Sequence, residues 1–152
     1  MLAAFALCSG CKKDDKTEVS GDSSWTLAGT TYKTAITYKG TTSGGTPMTM
    51  INFWDAQPTA TLKVNSVALS FVETPTTTGT YQLVSTGAAK TSKQFELSAG
   101  TVAPLYYAYI GSPIDITVTV TGGKVKVVIP EISLKCTTSS PDAKFTGTFQ
   151  EM

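Results

Sequence analysis

From Trp25 to Gln150 the apolar residues alternate with polar ones, and no stretch keeps the 3.6-residue period of an amphipathic helix. The clearest run is Asp115–Thr121. Ile116, Val118 and Val120 share one face of it, and Asp115, Thr117, Thr119 and Thr121 share the other. Gly122-Gly123 follows, and then Lys124-Val125-Lys126-Val127-Val128-Ile129. Two glycines between alternating runs predict a tight hairpin with a primed turn. Its register pairs Thr121 with Lys124, Val120 with Val125, Val118 with Val127 and Ile116 with Ile129. The apolar pairs then fall on one face and the Thr and Lys residues on the other, as in a half-buried antiparallel sheet.

Pro130 has no N–H to give to a ladder. Beyond it the apolar phase moves from Val125, Val127 and Ile129 to Ile132, Leu134 and Cys136. That shift predicts a bulge or bend where the strand passes to another sheet. Ala143–Gln150 predicts a last strand with Phe145 and Phe149 inward and Lys144, Thr146 and Thr148 outward. Upstream, Trp25–Ala28 and Thr31–Lys39 predict two strands hinged at Gly29, with Tyr32, Ile36 and Tyr38 on one face of the second. A Gly/Thr/Ser loop spans Gly40–Pro47. Further strands are predicted over Met48–Trp54, Ala60–Val64, Val67–Val72 and Thr80–Ser85, at Phe95 and Leu97, and over Pro104–Ile110. About nine or ten short strands with turn signals every 8–12 residues predict an all-β antiparallel sandwich, with a closed lipocalin-like barrel as the alternative.

The length of 152 residues suits one domain with a sizeable core. All twelve cations are lysines, so arginine and histidine are both absent, against eleven acids and a net charge of +1. Without histidine there is no Ser-His-Asp or Cys-His catalysis and no imidazole metal ligand. Without arginine there is no bidentate phosphate or guanine reader, and the balanced charge leaves no electrostatic footprint for nucleic acid. Threonine, at 27 residues, supplies the polar positions of the strands instead.

Charge is not spread evenly. Seven of the 23 charged residues fall within residues 12–24, a polar segment with almost nothing to bury. Such a segment reads as a flexible tether. It follows Met1-Leu-Ala-Ala-Phe-Ala-Leu-Cys8-Ser9-Gly10-Cys11, an apolar run ending in small residues and a cysteine. Ser9-Gly10-Cys11 followed by Lys12-Lys13-Asp14-Asp15 resembles a bacterial lipoprotein signal of the Bacteroidota type. The resemblance implies a signal peptide over 1–10, lipidation of Cys11, a tether over 11–24 and one β-domain over 25–152. It also implies attachment to the outer membrane through the lipid, with acidic residues after the cysteine associated with cell-surface display. The apolar run is short and lacks a preceding Lys or Arg, so a start codon upstream of Met1 is expected. As an alternative, Cys8-Ser9-Gly10-Cys11 is formally a C-x-x-C thiol pair, but no βαβ pattern and no second pair accompany it. Cleavage before Cys11 leaves Cys136 as the remaining thiol, read as a packing residue.

Three short stretches add a second resemblance. They are Leu69-Ser70-Phe71, Pro75 with Gly79-Thr80-Tyr81, and Phe145-Thr146-Gly147-Thr148-Phe149. They look like small Bacteroidota lipoprotein domains of unknown function, and the likeness implies no catalytic residue.

The remaining chemistry is sparse. Asp55, Glu73, Glu96, Asp115, Glu131, Asp142 and Glu151 lie mostly near predicted strand ends, turns or the terminus, where solvated acids are ordinary. A glycosidase-like carboxylate pair among them is the least favoured expectation. No metal or cofactor site is expected: zinc would have one thiol and no His, and no Asp-x-Asp spacing supports calcium. Gly44-Gly45 lacks the Lys and the strand–helix context of a phosphate loop. The aromatics offer more. Tyr107 and Tyr109 share one face of their strand and Trp54 sits beside Asp55 at a strand end, so these three form a possible ligand platform. The expectation is a non-enzymatic binding or accessory module for a glycan, a peptide or a partner protein. The alternative is a structural envelope or filament subunit that assembles through a loosely held terminal strand, Ala143–Gln150.

Overall fold

The computed structural model describes residues 23–42, 46–103, 105–138 and 140–152. The expected signal peptide, Cys8, the Cys11 anchor, the tether up to residue 22, Gly44-Gly45 and Pro104 lie outside the described residues. Within them the chain is all-β, with no helix. The strands are β1 (Ser24–Leu27), β2 (Thr30–Lys33), β3 (Ile36–Thr41), β4 (Thr49–Trp54), β5 (Ser66–Phe71), β6 (Gly79–Leu83), β7 (Gln94–Gly100), β8 (Tyr106–Ala108), β9 (Ile114–Thr121), β10 (Lys124–Cys136) and β11 (Ala143–Gln150).

The β9–β10 hairpin turns at Gly122 (φ 58°) and Gly123 (φ 78°), two left-handed residues whose twist suits a two-residue loop. Thr121 pairs with Lys124, Val120 with Val125 and Val118 with Val127. The expected pair of Ile116 with Ile129 does not form. Beyond Val118 strand β9 continues along β6, with Ile116 opposite Tyr81, while β10 runs on past it. Both isoleucines stay in the core. The register of β10 on β11 shifts between Ile129 and Ile132, so the phase change at Pro130 is a bulge within one thirteen-residue strand. Pro130 falls where β10 has left β9 and its pairing with β11 is interrupted, so its missing N–H removes no rung.

The far end of β10 pairs with β8, and β8 pairs on its other side with β7. That contact closes a ring of five strands in the order β10, β9, β6, β7, β8. Two wings leave the ring: β11, β1 and β2 extend from β10, and β5, β4 and β3 extend from β7. The wings face each other. The rings of Phe53 on β4 and Phe149 on β11 meet edge to face at 5.0 Å. The core is thus part barrel and part sandwich, and closure of the barrel kind accompanies sandwich packing. Every strand pair is antiparallel except β6 with β7.

Trp25, Phe53, Phe71, Phe95, Phe145 and Phe149 are among the fully buried side chains, and Phe149 joins Trp25, Phe53 and Phe145. Each such side chain contributes about 1.5–3 kcal/mol of transfer free energy. Gly147 leaves the space that Phe149 uses: a Cβ there would lie 2.7 Å from the Phe149 ring and 2.9 Å from the Trp25 Cβ.

Two further expectations change. The strand over Thr31–Lys39 is broken at Thr34-Ala35, where the Thr34 amide bonds to Ser23 O and the Ala35 amide to Trp54 O. The chain changes wing there, so Tyr32 packs against Trp25 while Tyr38 faces outward. No strand forms over Ala60–Val64, which lies in the loop between β4 and β5. Ser23, two residues before Trp25, also belongs to the fold. Ser23 is buried, its hydroxyl 2.8 Å from that of Thr34 and accepting the Gln150 amide.

Candidate functional site

Tyr107 and Tyr109, two of the three residues of the possible platform, are buried. Tyr107 lies opposite Cys136 on one side and Ala99 on the other, and both tyrosines belong to the core. Burial, aided for Tyr107 by the neighbouring Cys136, raises both phenols above their ordinary value. The Tyr109 hydroxyl donates to Ser112 O. The outward residues of this segment are Tyr106, 61% exposed, and Ile110.

Trp54 sits half-buried at the end of β4, and its ring runs nearly parallel to that of Tyr38, with centroids 5.9 Å apart and planes 9° apart. The two residues are diagonal neighbours, because Ile36 opposes Trp54 and Tyr38 opposes Asn52. Their reach across the ladder is what long aromatic side chains allow. Gly40 makes room for the tyrosine: a Cβ there would sit 2.9 Å from Tyr38 Cε1.

Register carries this corner across the sheet. Trp54 opposes Ser66, Ser66 opposes Gly100 and Gly100 opposes Tyr106. Directly opposed residues share a face, so Ile36, Trp54, Ser66, Gly100 and Tyr106 form one outward row over β3, β4, β5, β7 and β8. The next row is Tyr38, Asn52, Ala68, Ser98 and Ala108. No charged side chain stands in either row. The pairs behind the first row, Phe53, Val67, Ala99 and Tyr107, are all buried, so the face rests on packed core. Tyr38 and Tyr106 are the residues that sequence reasoning missed.

The loops at this end are tied together. Asp55 accepts the Asn65 amide at 2.9 Å through one carboxylate oxygen and the Asn65 side chain through the other. Asn65 Oδ1 in turn accepts the Val102 amide at 3.1 Å. Asp55 therefore closes the base of the β4–β5 loop, and Asn65 ties that loop to the β7–β8 loop. Leu62 and Val102 are exposed on these two loops.

Three of the other acids accept backbone amides at separate places. Glu96 accepts the Ala89 amide, Asp142 the Cys136 amide and Glu151 the Val125 amide, while Glu151 also meets Lys39 at 2.8 Å. Two grooves include Asp115, and neither is lined by a second acid. The larger, about 310 Å³, opens where β9 and β10 part and is lined by Thr117, Thr119, Lys126, Val128 and Pro130 as well. Among the described residues no three His, Cys, Asp or Glu side chains group as metal ligands. Cys136 is a free, buried thiol 3.1 Å from the Thr138 hydroxyl, which holds it below its usual range against the opposing effect of burial.

β11 is interior. It pairs with β1 on one side and β10 on the other. The sheet ends instead at β2 and β3, of four and six residues, which carry Lys33 and Lys39. Short, lysine-bearing edges resist pairing with a second chain.

Compared with family models, with curated proteins and with solved structures, the chain matches none.

Proposed function

We propose that the protein is a lipid-anchored envelope protein of the bacterial outer membrane, displayed at the cell surface, whose β-domain is a non-enzymatic binding module. The anchor half of this reading rests on the Ser9-Gly10-Cys11 signal and the charged segment after it. Ser23, whose hydroxyl bonds to Thr34 and Gln150, is twelve peptide steps from Cys11, a span of at most about 43 Å.

The binding half rests on one observation, the uncharged outer face edged by Tyr38 and Trp54 on one side and Tyr106 on the other. Exposed aromatics on paired strands lose little freedom when they meet a ligand, so their contact surface is pre-organised. Two measurements test the whole. The protein expressed from its chromosomal gene should partition with membranes, and Cys11→Ala should release it; retention of the variant contradicts the anchor. The Cys11→Ala protein, screened on glycan and peptide arrays, should bind a ligand that Trp54→Ala loses. A ligand held equally well by Trp54→Ala contradicts the site, and so does the absence of any ligand.

A further inference from the structure

We propose that the ligand of this face is a neutral glycan chain of two or more pyranose units, lying across the strands from the Tyr38–Trp54 pair to Tyr106. The inference rests on the reading of the face as the binding surface and adds the class of ligand and its direction.

Distance comes first. Trp54 and Tyr106 stand three strand spacings apart in one row, about 14 Å along the sheet. One pyranose ring cannot touch both, whereas a chain can. Between them the floor is low. Ser66 and Gly100 fill the row itself and Ala68 and Ser98 the next one, so no bulky side chain blocks the path. The Tyr106 ring leans toward this floor, because a Cβ on Gly100 would come within 3.7 Å of it.

Chemistry comes next. A pyranose has an apolar C–H face and a hydroxyl rim. Aromatic rings desolvate the first, while the hydroxyls of Ser66 and Ser98 and the amide of Asn52 can exchange hydrogen bonds with the second. Neither row holds a charge, and the flanking charges, Glu96 on β7 and Lys135 opposite Ala108, have opposite sign. An acidic polymer would find no row of cations here. A peptide added as a strand would need a free edge, and on this face only β3 offers one, six residues long and carrying Lys39, whereas β4, β5, β7 and β8 are each paired on both sides. A neutral chain with hydroxyls to spare fits both facts.

The test uses the Cys11→Ala protein with gluco-, xylo- and manno-oligosaccharides of one to six units, and with oligogalacturonates as the acidic counterpart. Titration calorimetry should show affinity for a neutral series that climbs with chain length and then levels off. Tyr106→Ala should weaken the longest chain by about tenfold and leave the shortest bound chain unchanged. Trp54→Ala should weaken every length, and Trp54→Phe should restore most of the loss. Equal affinity at all lengths overturns the proposal, as do an inert Tyr106→Ala, a preference for the acidic series and no binding to any neutral series. If a peptide binds instead and depends on Trp54, the binding face stands and the glycan assignment falls. If nothing depends on Trp54, the binding face falls as well.

Discussion

The two outer faces of the sheet share one core and show solvent different chemistry. The face over β1, β11, β10 and β9 shows Thr26, Thr146, Thr148, Thr117 and Thr119 with Lys126 and Val128, and two grooves of about 310 and 230 Å³ open along it. The face over β3, β4, β5, β7 and β8 shows aromatics at two edges and small residues between. Those grooves are lined mostly by short side chains, and among the described residues Val128 is the large apolar group exposed there. Aromatic area held by paired strands is the better basis for recognition, because most binding energy comes from a few large contacts.

The comparison breaks first if the two faces do not share one inner layer. Phe149 touches Trp25, Phe53 and Phe145 and so joins both wings. Phe149→Ala is expected to cost about 3–5 kcal/mol in denaturant titrations. The outward Trp54→Ala is expected to cost about 1 kcal/mol. A Trp54 variant as unstable as the Phe149 variant would make Trp54 a core residue and not a contact surface.

A smaller effect separates inward from outward tyrosines. Tyr107 and Tyr109 are buried as neutral phenols with raised pKa, whereas the unfolded chain ionises near 10.0. The unfolded state therefore holds fewer protons above that pH. Stability from this source is complete below about pH 10 and is lost as pH rises through the folded pKa values. Replacing both by Phe should lower stability at neutral pH, through loss of the Tyr109 bond to Ser112, and flatten the alkaline decline. An unchanged decline would place the two rings at the surface.

The smallest effect concerns the β1–β2 turn on the threonine side. Ala28 sits at φ 50° beside Gly29 at φ 82°, a left-handed pair in a two-residue loop. Ala28→Gly should stabilise the protein by about 0.5–1 kcal/mol by removing the Cβ strain. Ligand affinity should not change, and a change would show that the faces are coupled.

What the sequence revealed follows from the range of each interaction. The β9–β10 hairpin was legible because alternation and Gly122-Gly123 are local, and the bulge at Pro130 was legible from the change of phase. The outward place of Trp54 was also legible: Ile51 and Phe53 alternate with Asn52, which fixes its parity. Tyr106-Tyr107-Ala108-Tyr109-Ile110 was not, since alternation names two faces without saying which is inside. Only the pairing of β8 with β7 and β10 decides it. The wing change at Thr34-Ala35 depends on contacts with Ser23 and Trp54, and the row from Trp54 to Tyr106 depends on three registers between segments distant in the chain. Such pairings leave no local pattern.

The most direct measurement is amide and indole chemical-shift mapping of the Cys11→Ala protein titrated with the neutral oligosaccharide that binds best. Perturbations should centre on Tyr38, Asn52, Trp54, Ser66, Ser98, Gly100 and Tyr106, with the Trp25 indole unmoved. Perturbations centred on Thr26, Thr119, Lys126 and Thr148 would contradict the assignment of binding to the aromatic face.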